Sequence, residues 1–372
     1  MRKLNRRKSN HQLNHPARIL VFMLMLALAS GVCFKPLAQS APDDLRQRAR
    51  RVNSAPTETA LAAQQDDDEV VRVNTDLANI LLTAIDKDRR FVTTLRREDL
   101  RVTENGAAQE ISIFQRETDL PLSLAILIDT SRSQERTLPE EKRAALAFVD
   151  TVIRPEKDTA ALISFNGEAT IEQPLTNEVA RLHGVIDRVR VELPPDNPQC
   201  KDDVGATPVD EDARCWTNVW DSIWATIEEA LAQTPERTRR AIILLSDGDD
   251  TGSKTKRQQA IERAVKANVV VYSIGIGDPD LYKLDKGALR KLSEQTGGRA
   301  FFPQDEAELR AAFAQIQDEL RSQYLVAYSP TNKERDGSYR QVRIEVVNPQ
   351  LRKQKLSLLY RQGYYAMKAS KR

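Results

Sequence analysis

Charge of one sign, thiols and imidazoles are what this 372-residue chain has least of. Lysine and arginine total 56 against 54 acids, a formal net charge of +2, and the basic residues are scattered rather than gathered. A nucleic-acid partner would need a basic stripe or patch, so that class is set aside and the scattered charge reads as solvated faces. Three cysteines and three histidines leave little room for a zinc-type site, which takes several thiolates or imidazoles. Any metal must then be held by oxygen, which points to magnesium, with calcium or manganese as alternatives. Long apolar runs are missing too. The best candidate, residues 19–32, is shorter than the ~20 residues a membrane span needs, although an apolar fraction of 40% suffices for a globular core.

That run follows Arg2, Lys3, Arg6, Arg7, Lys8 and Arg18, the layout of a signal peptide, and the small residues Ala38 and Ser40 place the cut after Ser40. Residues 1–40 are therefore expected to direct export, to the periplasm, the medium or the cell surface. An uncleaved membrane anchor over residues 19–34 is the other reading. Arg6-Arg7 lacks the apolar residues a twin-arginine signal carries just after the pair, and Cys33 lacks the small residue before it that a lipoprotein cut requires. Cleavage leaves Cys200, Cys215 and His183 as the remaining thiols and imidazole. Two cysteines close in sequence in an oxidising compartment are expected to form a disulfide, Cys200–Cys215, contributing on the order of 3 kcal/mol. Their spacing is not the C-x-x-C of a redox pair.

Residues 41–69 have no apolar period, end in Asp66-Asp67-Asp68-Glu69, and read as a linker. Residues 70–118 alternate with period two (VVRVN, LANILLTAID, LRVTEN, QEISIFQ), and Asn105-Gly106 marks a hairpin. Residues 330–372 alternate in the same way, in QVRIEVV and KLSLLYR. The two flanks are expected to pack into one small β-sandwich-like domain, with separate modules at the two ends as the alternative. Between them, residues 119–329 switch period. LSLAILID, TAALISF, AIILLS, VVVYSIGIG and AFFP are strand-like, and Asn166-Gly167 joins a second hairpin. Three stripes lie at helical spacing: Ala145, Phe148, Val149 and Val152; Leu182, Val185, Ile186 and Val189; Ile223, Ile227, Ala230 and Leu231. This alternation predicts an α/β fold, a doubly wound and mostly parallel sheet with one antiparallel edge strand and helices on both faces. Ligands in such folds sit at the carboxyl ends of the strands.

Oxygen-bearing side chains gather at those ends. LIDTSRSQ places Asp129, Ser131 and Ser133 directly after one apolar strand. Cys215-Trp216-Thr217-Asn218 precedes the third helical stripe, and Asp247-Gly248-Asp249-Asp250 follows AIILLS. Two serine hydroxyls and a threonine hydroxyl can ligate a small hard cation, with the carboxylates of Asp129 and Asp247 balancing charge from just outside. A cation ligated mainly by neutral groups keeps the Lewis acidity to accept a further carboxylate.

In this order, DTSRS, the Thr217 loop and LLSDGDD resemble the metal-ion-dependent adhesion site of von Willebrand factor A domains. The resemblance implies that Ser131, Ser133 and Thr217 contact magnesium and that Asp129 and Asp247 act mainly through bound water. VYSIGIGD and LSEQTGGRAFFP resemble segments of bacterial members, and VTENGAAQEISIFQ with RQGYYA is similar to a subgroup first noted in acidobacteria, so the likeness spans residues 77–366. It implies an adhesion-type, non-enzymatic module whose partner is a protein presenting an acidic residue, with no small-molecule substrate.

The insertion at residues 194–214 departs from the pattern. It carries Asp196, Asp202, Asp203, Asp210, Glu211 and Asp212, and is either a recognition loop or a tolerated surface insertion. Trp216, Trp220 and Trp224 recur every four residues, as core packing or as an exposed aromatic stripe. Three further readings use the same residues. D-x-D-x-T after a strand would make Asp247 a phosphoryl-accepting nucleophile and Asp249 its acid/base, as in haloacid-dehalogenase-like phosphotransferases. Ser131 with His183 would make a serine hydrolase, without the G-x-S-x-G context. A scaffold protein with a vestigial metal site is the third.

Overall fold

The computed structural model describes residues 77–88, 90–116, 120–192, 216–235, 238–277 and 284–368. The expected signal peptide and linker, the 194–214 insertion, and both Cys200 and Cys215 with their expected disulfide lie outside the described residues.

The alternating stretches near the head of the chain form β1 (Ala78–Ile85), β2 (Leu100–Glu104), β3 (Ala107–Gln109) and β4 (Ile111–Arg116). Asn105 and Gly106 turn β2 into β3 with φ of 47° and 86°, the two-residue geometry whose twist matches that of the strands it joins. The middle of the chain then alternates: β5 (Leu122–Asp129), α1 (Leu138–Val152), β6 (Thr159–Phe165), β7 (Ala169–Thr176), α2 (Val179–Ile186), α3 (Val219–Ala225), β8 (Arg239–Ser246), α4 (Arg257–Lys266), β9 (Val269–Gly275), α5 (Lys286–Thr296), β10 (Ala300–Phe301) and α6 (Glu306–Arg321). These strands lie in the order β10-β9-β8-β5-β6-β7, all parallel except β7, which returns antiparallel along β6.

Every residue of β5 is buried, as a strand covered on both faces must be. Leu124, Ile126 and Ile128 pack toward Phe148, Val149, Leu182, Phe313 and Ile316 of α1, α2 and α6. Ala125 and Leu127 face the opposite layer, where Val219, Ile223, Ile261 and Leu289 of α3, α4 and α5 converge. The third helical stripe continues past α3 as a π-helical turn, Thr226–Leu231, with Ile227 and Leu231 buried. The tryptophans do not behave as one stripe: Trp220 is buried, Trp216 half-buried and Trp224 exposed.

The chain ends with β11 (Tyr324–Tyr328), β12 (Tyr339–Val346), α7 (Pro349–Lys353), β13 (Ser357–Tyr360) and β14 (Gly363–Tyr365). Two antiparallel four-stranded sheets result, β13-β1-β11-β4 and β14-β12-β2-β3, each mixing strands from both flanks. Ile80, Leu82, Leu100, Val102, Val326, Tyr328, Val342 and Ile344 share one core, which overturns the reading of separate terminal modules. β11 falls inside the span expected for the central α/β unit, yet its partners are β1 and β4.

A buried polar knot ties four of these strands. Glu104 Oε2 accepts hydrogen bonds from the hydroxyls of Tyr328 at 2.9 Å and Tyr364 at 2.7 Å, while its Oε1 lies 3.4 Å from Arg340 Nη1. No helix among the described residues is long and apolar enough to cross a membrane.

Candidate metal centre

The parallel strands end together on one rim, and the oxygen-rich loops leave from there. Asp129 closes β5, and its Oδ1 accepts the backbone N–H of Ser131 at 2.9 Å. This local turn aims the chain along the rim and leads into a short 3-10 turn, Arg132–Gln134. The turn sets Ser131 Oγ 3.0 Å from Ser133 Oγ. From the neighbouring strand, Ser246 Oγ donates to Asp129 Oδ2 at 2.7 Å and accepts the Gly248 N–H at 3.0 Å, so one hydroxyl joins the first loop to the third. Asp247 Oδ1 accepts the Asp249 N–H at 3.0 Å. Gly248 has φ +78°, and a Cβ there would stand 2.8 Å from Leu289 Cγ, so the bend after Asp247 requires glycine.

The middle loop is stitched to both neighbours. Thr217 N–H donates to Thr251 Oγ1 at 2.8 Å and the Thr251 N–H returns to the Thr217 carbonyl at 2.9 Å, while Asn218 N–H reaches the Asn166 carbonyl at 2.7 Å. Asp129, Ser131, Ser133 and Asp247 are thus brought into one cluster. Thr217 is tied by backbone tethers to Thr251 in the loop that follows Asp247, and its hydroxyl makes no hydrogen bond to those four.

Asp129 is fully buried and Asp247 is 2% exposed. Burial pushes the Asp129 carboxyl up to about 7, and the charge of Asp247 adds to the shift. Burial raises Asp247 as well, against a partial offset from the Ser133 hydroxyl. Among the described residues neither acid has a lysine or arginine partner, so two like charges share a low-dielectric pocket. A divalent cation supplies what this arrangement lacks. No three Asp, Glu, His or Cys side chains converge as a ligand set among the described residues. A metal here would depend on hydroxyl oxygens, and the serine pair fits one.

Three neighbours of the site escaped the reading of the sequence. Ser246 is the polar end of an otherwise apolar strand, and that break in pattern was its signal. Gln134 is fully buried, donating from Nε2 to Ser133 Oγ at 3.2 Å and to the Ile276 carbonyl at 3.3 Å; nothing in its position announced this. Glu141 is an acid in the first turn of α1, yet it lies on the buried face of that helix with Leu138, Ala145 and Phe148. Burial pushes its carboxyl up to about 8, the Thr137 hydroxyl offsets part of this, and the charges of Asp129 and Asp247 add to the rise. His183 serves elsewhere: its Nε2 lies 2.8 Å from Asp150 Oδ1, at the far end of α1, about 18 Å along the helix axis from Leu138.

The profile of the von Willebrand factor type A domain matches residues 123–315. A search of curated proteins found no match. Among solved structures, the chain is similar to the conserved hypothetical protein BatB from Bacteroides thetaiotaomicron, at 16% identity and a TM-score of 0.42 over 54% of this chain and 100% of that one. An aerotolerance-related membrane protein from Bacteroides fragilis matches at 17% identity and a TM-score of 0.41, over 53% of this chain and 99% of that one. Proximal thread matrix protein 1 from the mussel byssus, in a structure with a zinc-occupied MIDAS motif, matches at 18% identity and a TM-score of 0.44, over 58% of this chain and 50% of that one.

Proposed function

Because the chain belongs to the von Willebrand factor type A family, we propose that it is an exported, metal-dependent binding module whose partner is a protein presenting an acidic side chain. Ser131, Ser133 and Thr217 would supply hydroxyl oxygens to one magnesium ion, and Asp129 and Asp247 would act mainly through bound water and balance its charge. The bound ion would supply a Lewis-acidic position for a carboxylate oxygen from the partner. Ser246 orients Asp129 through its 2.7 Å hydrogen bond, and Gln134 steadies Ser133, so both fix where the ligating oxygens stand. The observation that carries this reading is the buried Asp129 and Asp247 pair, without a cationic side chain among the described residues, beside two serine hydroxyls 3.0 Å apart. Binding suits the site better than catalysis. The imidazole of His183 is far from Ser131, and Asp249 is exposed, holding Asp247 by its backbone rather than by its carboxyl.

The test is calorimetric titration of the protein with magnesium, followed by capture of partners from source cells with and without chelator. A partner retained only with metal, and lost in Asp129→Ala and Thr217→Ala, is the expected result. Heats of magnesium binding that are the same in wild type and in both variants would refute the assignment.

A further inference from the structure

Helix α5 begins beside the metal rim. The Asp285 N–H donates to the Asp247 carbonyl at 2.9 Å, and the Asp285 carboxylate caps the helix by accepting the Ala288 N–H at 2.9 Å. Lys286 and Arg290 follow, four residues apart on the exposed face, and both lie over one ring. Lys286 Nζ is 5.5 Å and Arg290 Cζ 5.0 Å from the Phe302 centroid. That ring leaves the end of β10 and rests on Gly275, where a Cβ would stand 2.6 Å from it. Leu289 touches both Gly275 and Gly248, so one layer of side chains separates the ring from the Asp247 bend.

Among the described residues the charge of this pair is met by no ion pair. Like charges four apart on a helix repel, and Lys286 stands in the first turn, where the helix dipole disfavours a cation. The first turn of α5 holds no acid after its cap. No carboxylate among the described residues forms an ion pair with Lys286 or Arg290, whereas Arg143 is paired with Glu306 and Arg263 with Glu228. An anion from outside would relieve the repulsion and the dipole conflict together. The aromatic platform limits where the guanidinium can go, and a guanidinium so held can meet a carboxylate with two parallel N–H donors.

We propose that Lys286 and Arg290, steadied on Phe302, are a second contact for the partner: they take a further carboxylate of an acidic protein segment whose first acid is received at the metal centre. The proposal rests on the metal-centre reading and adds a selectivity to it. Segments with clustered acids are preferred over a lone acid, and the paired cations also draw them in more rapidly at low salt.

Two labelled, capped Gly/Ser peptides serve as probes in fluorescence anisotropy with excess magnesium. One carries a single glutamate, and the other carries the same glutamate followed by three aspartates. Two exposed ion pairs correspond to about a tenfold preference for the second peptide. That ratio is expected in wild type, to fall to about one in Lys286→Gln/Arg290→Gln, and to be kept in the charge-conserving Lys286→Arg/Arg290→Lys. Equal affinity for both peptides in wild type, or a preference that survives the glutamine pair, would overturn the second contact while magnesium-dependent binding stands. If neither peptide binds in a magnesium-dependent way, the metal-centre reading fails, and the second contact with it.

Discussion

Replacing Glu104 by alanine removes the acceptor at the middle of the knot that joins β2, β11, β12 and β14. Glu104 is 3% exposed and Arg340 2%, so the guanidinium left behind cannot recover its charge partner from water. Breaking a buried ion pair from one side costs about 3–5 kcal/mol. Arg340 keeps hydrogen bonds to the Asn332 and Glu334 carbonyls, which pulls its share toward the lower figure. The Tyr328 hydroxyl is fully buried and loses its acceptor, at a further cost of about 1–3 kcal/mol, so a total near 4 kcal/mol is expected. Glu104→Leu/Arg340→Leu removes both charges and should cost well under the sum of the single substitutions. Urea unfolding curves at neutral pH, with equal m-values as the check on two-state behaviour, read both numbers. A loss below about 1 kcal/mol in Glu104→Ala, or strict additivity in the pair, would show that the knot is held by something other than the charge pair.

Glu141 is raised from 4.5 to about 8 in the folded chain, so its contribution to stability is full below pH 4.5 and is lost as pH rises through 8. Glu141→Gln stays neutral, and its stability relative to wild type should climb between pH 5 and pH 8.5, by at most roughly 5 kcal/mol at ~1.4 kcal/mol per unit; parallel pH profiles of the urea midpoint would count against the burial of that acid. Asp247→Asn removes one of two like charges: it should raise the melting temperature in chelator and abolish the rise that magnesium gives wild type, which a thermal shift assay reads. Gly106→Ala meets no atom within 4 Å and costs only the left-handed backbone, about 1–2 kcal/mol, whereas Gly248→Ala adds a 2.8 Å contact with Leu289 and should cost more and weaken magnesium binding; equal losses in the two would contradict the crowded bend.

Local pattern carried much of the architecture. The apolar run of β5 and the turns at Asn105-Gly106 and Asn166-Gly167 each state a conformation within a few residues, and the site loops follow from where such runs stop. Pairing across distance is not written that way. Tyr324–Tyr328 has the same buried, apolar character as a central strand, and only its hydrogen-bonded neighbours assign it to the flanking sheet. The tryptophan spacing likewise spanned a helix start, so Trp216 lies outside the helix whose period it seemed to share. The approach of Thr217 to the rim is set by Asn166 and Thr251, two partners that no spacing rule links to it.

The splicing of β5 through α6 between β4 and β11 has a kinetic consequence. Within that unit β5 and β6, β8 and β9, and β9 and β10 pair after short crossovers, so these pairs are free to form early, while β5 meets β8 across 117 positions of chain. β1 must wait for β11 and β13, and Tyr328 meets Glu104 across 224 positions of chain. Closing so long a loop adds little free energy, because the entropy grows only with the logarithm of length, but it slows the search. A nascent chain halted before Tyr324 would hold Ile80 and Leu82 without their cover, and the two flanking sheets act as a clasp that shuts only once β11 to β14 have been made.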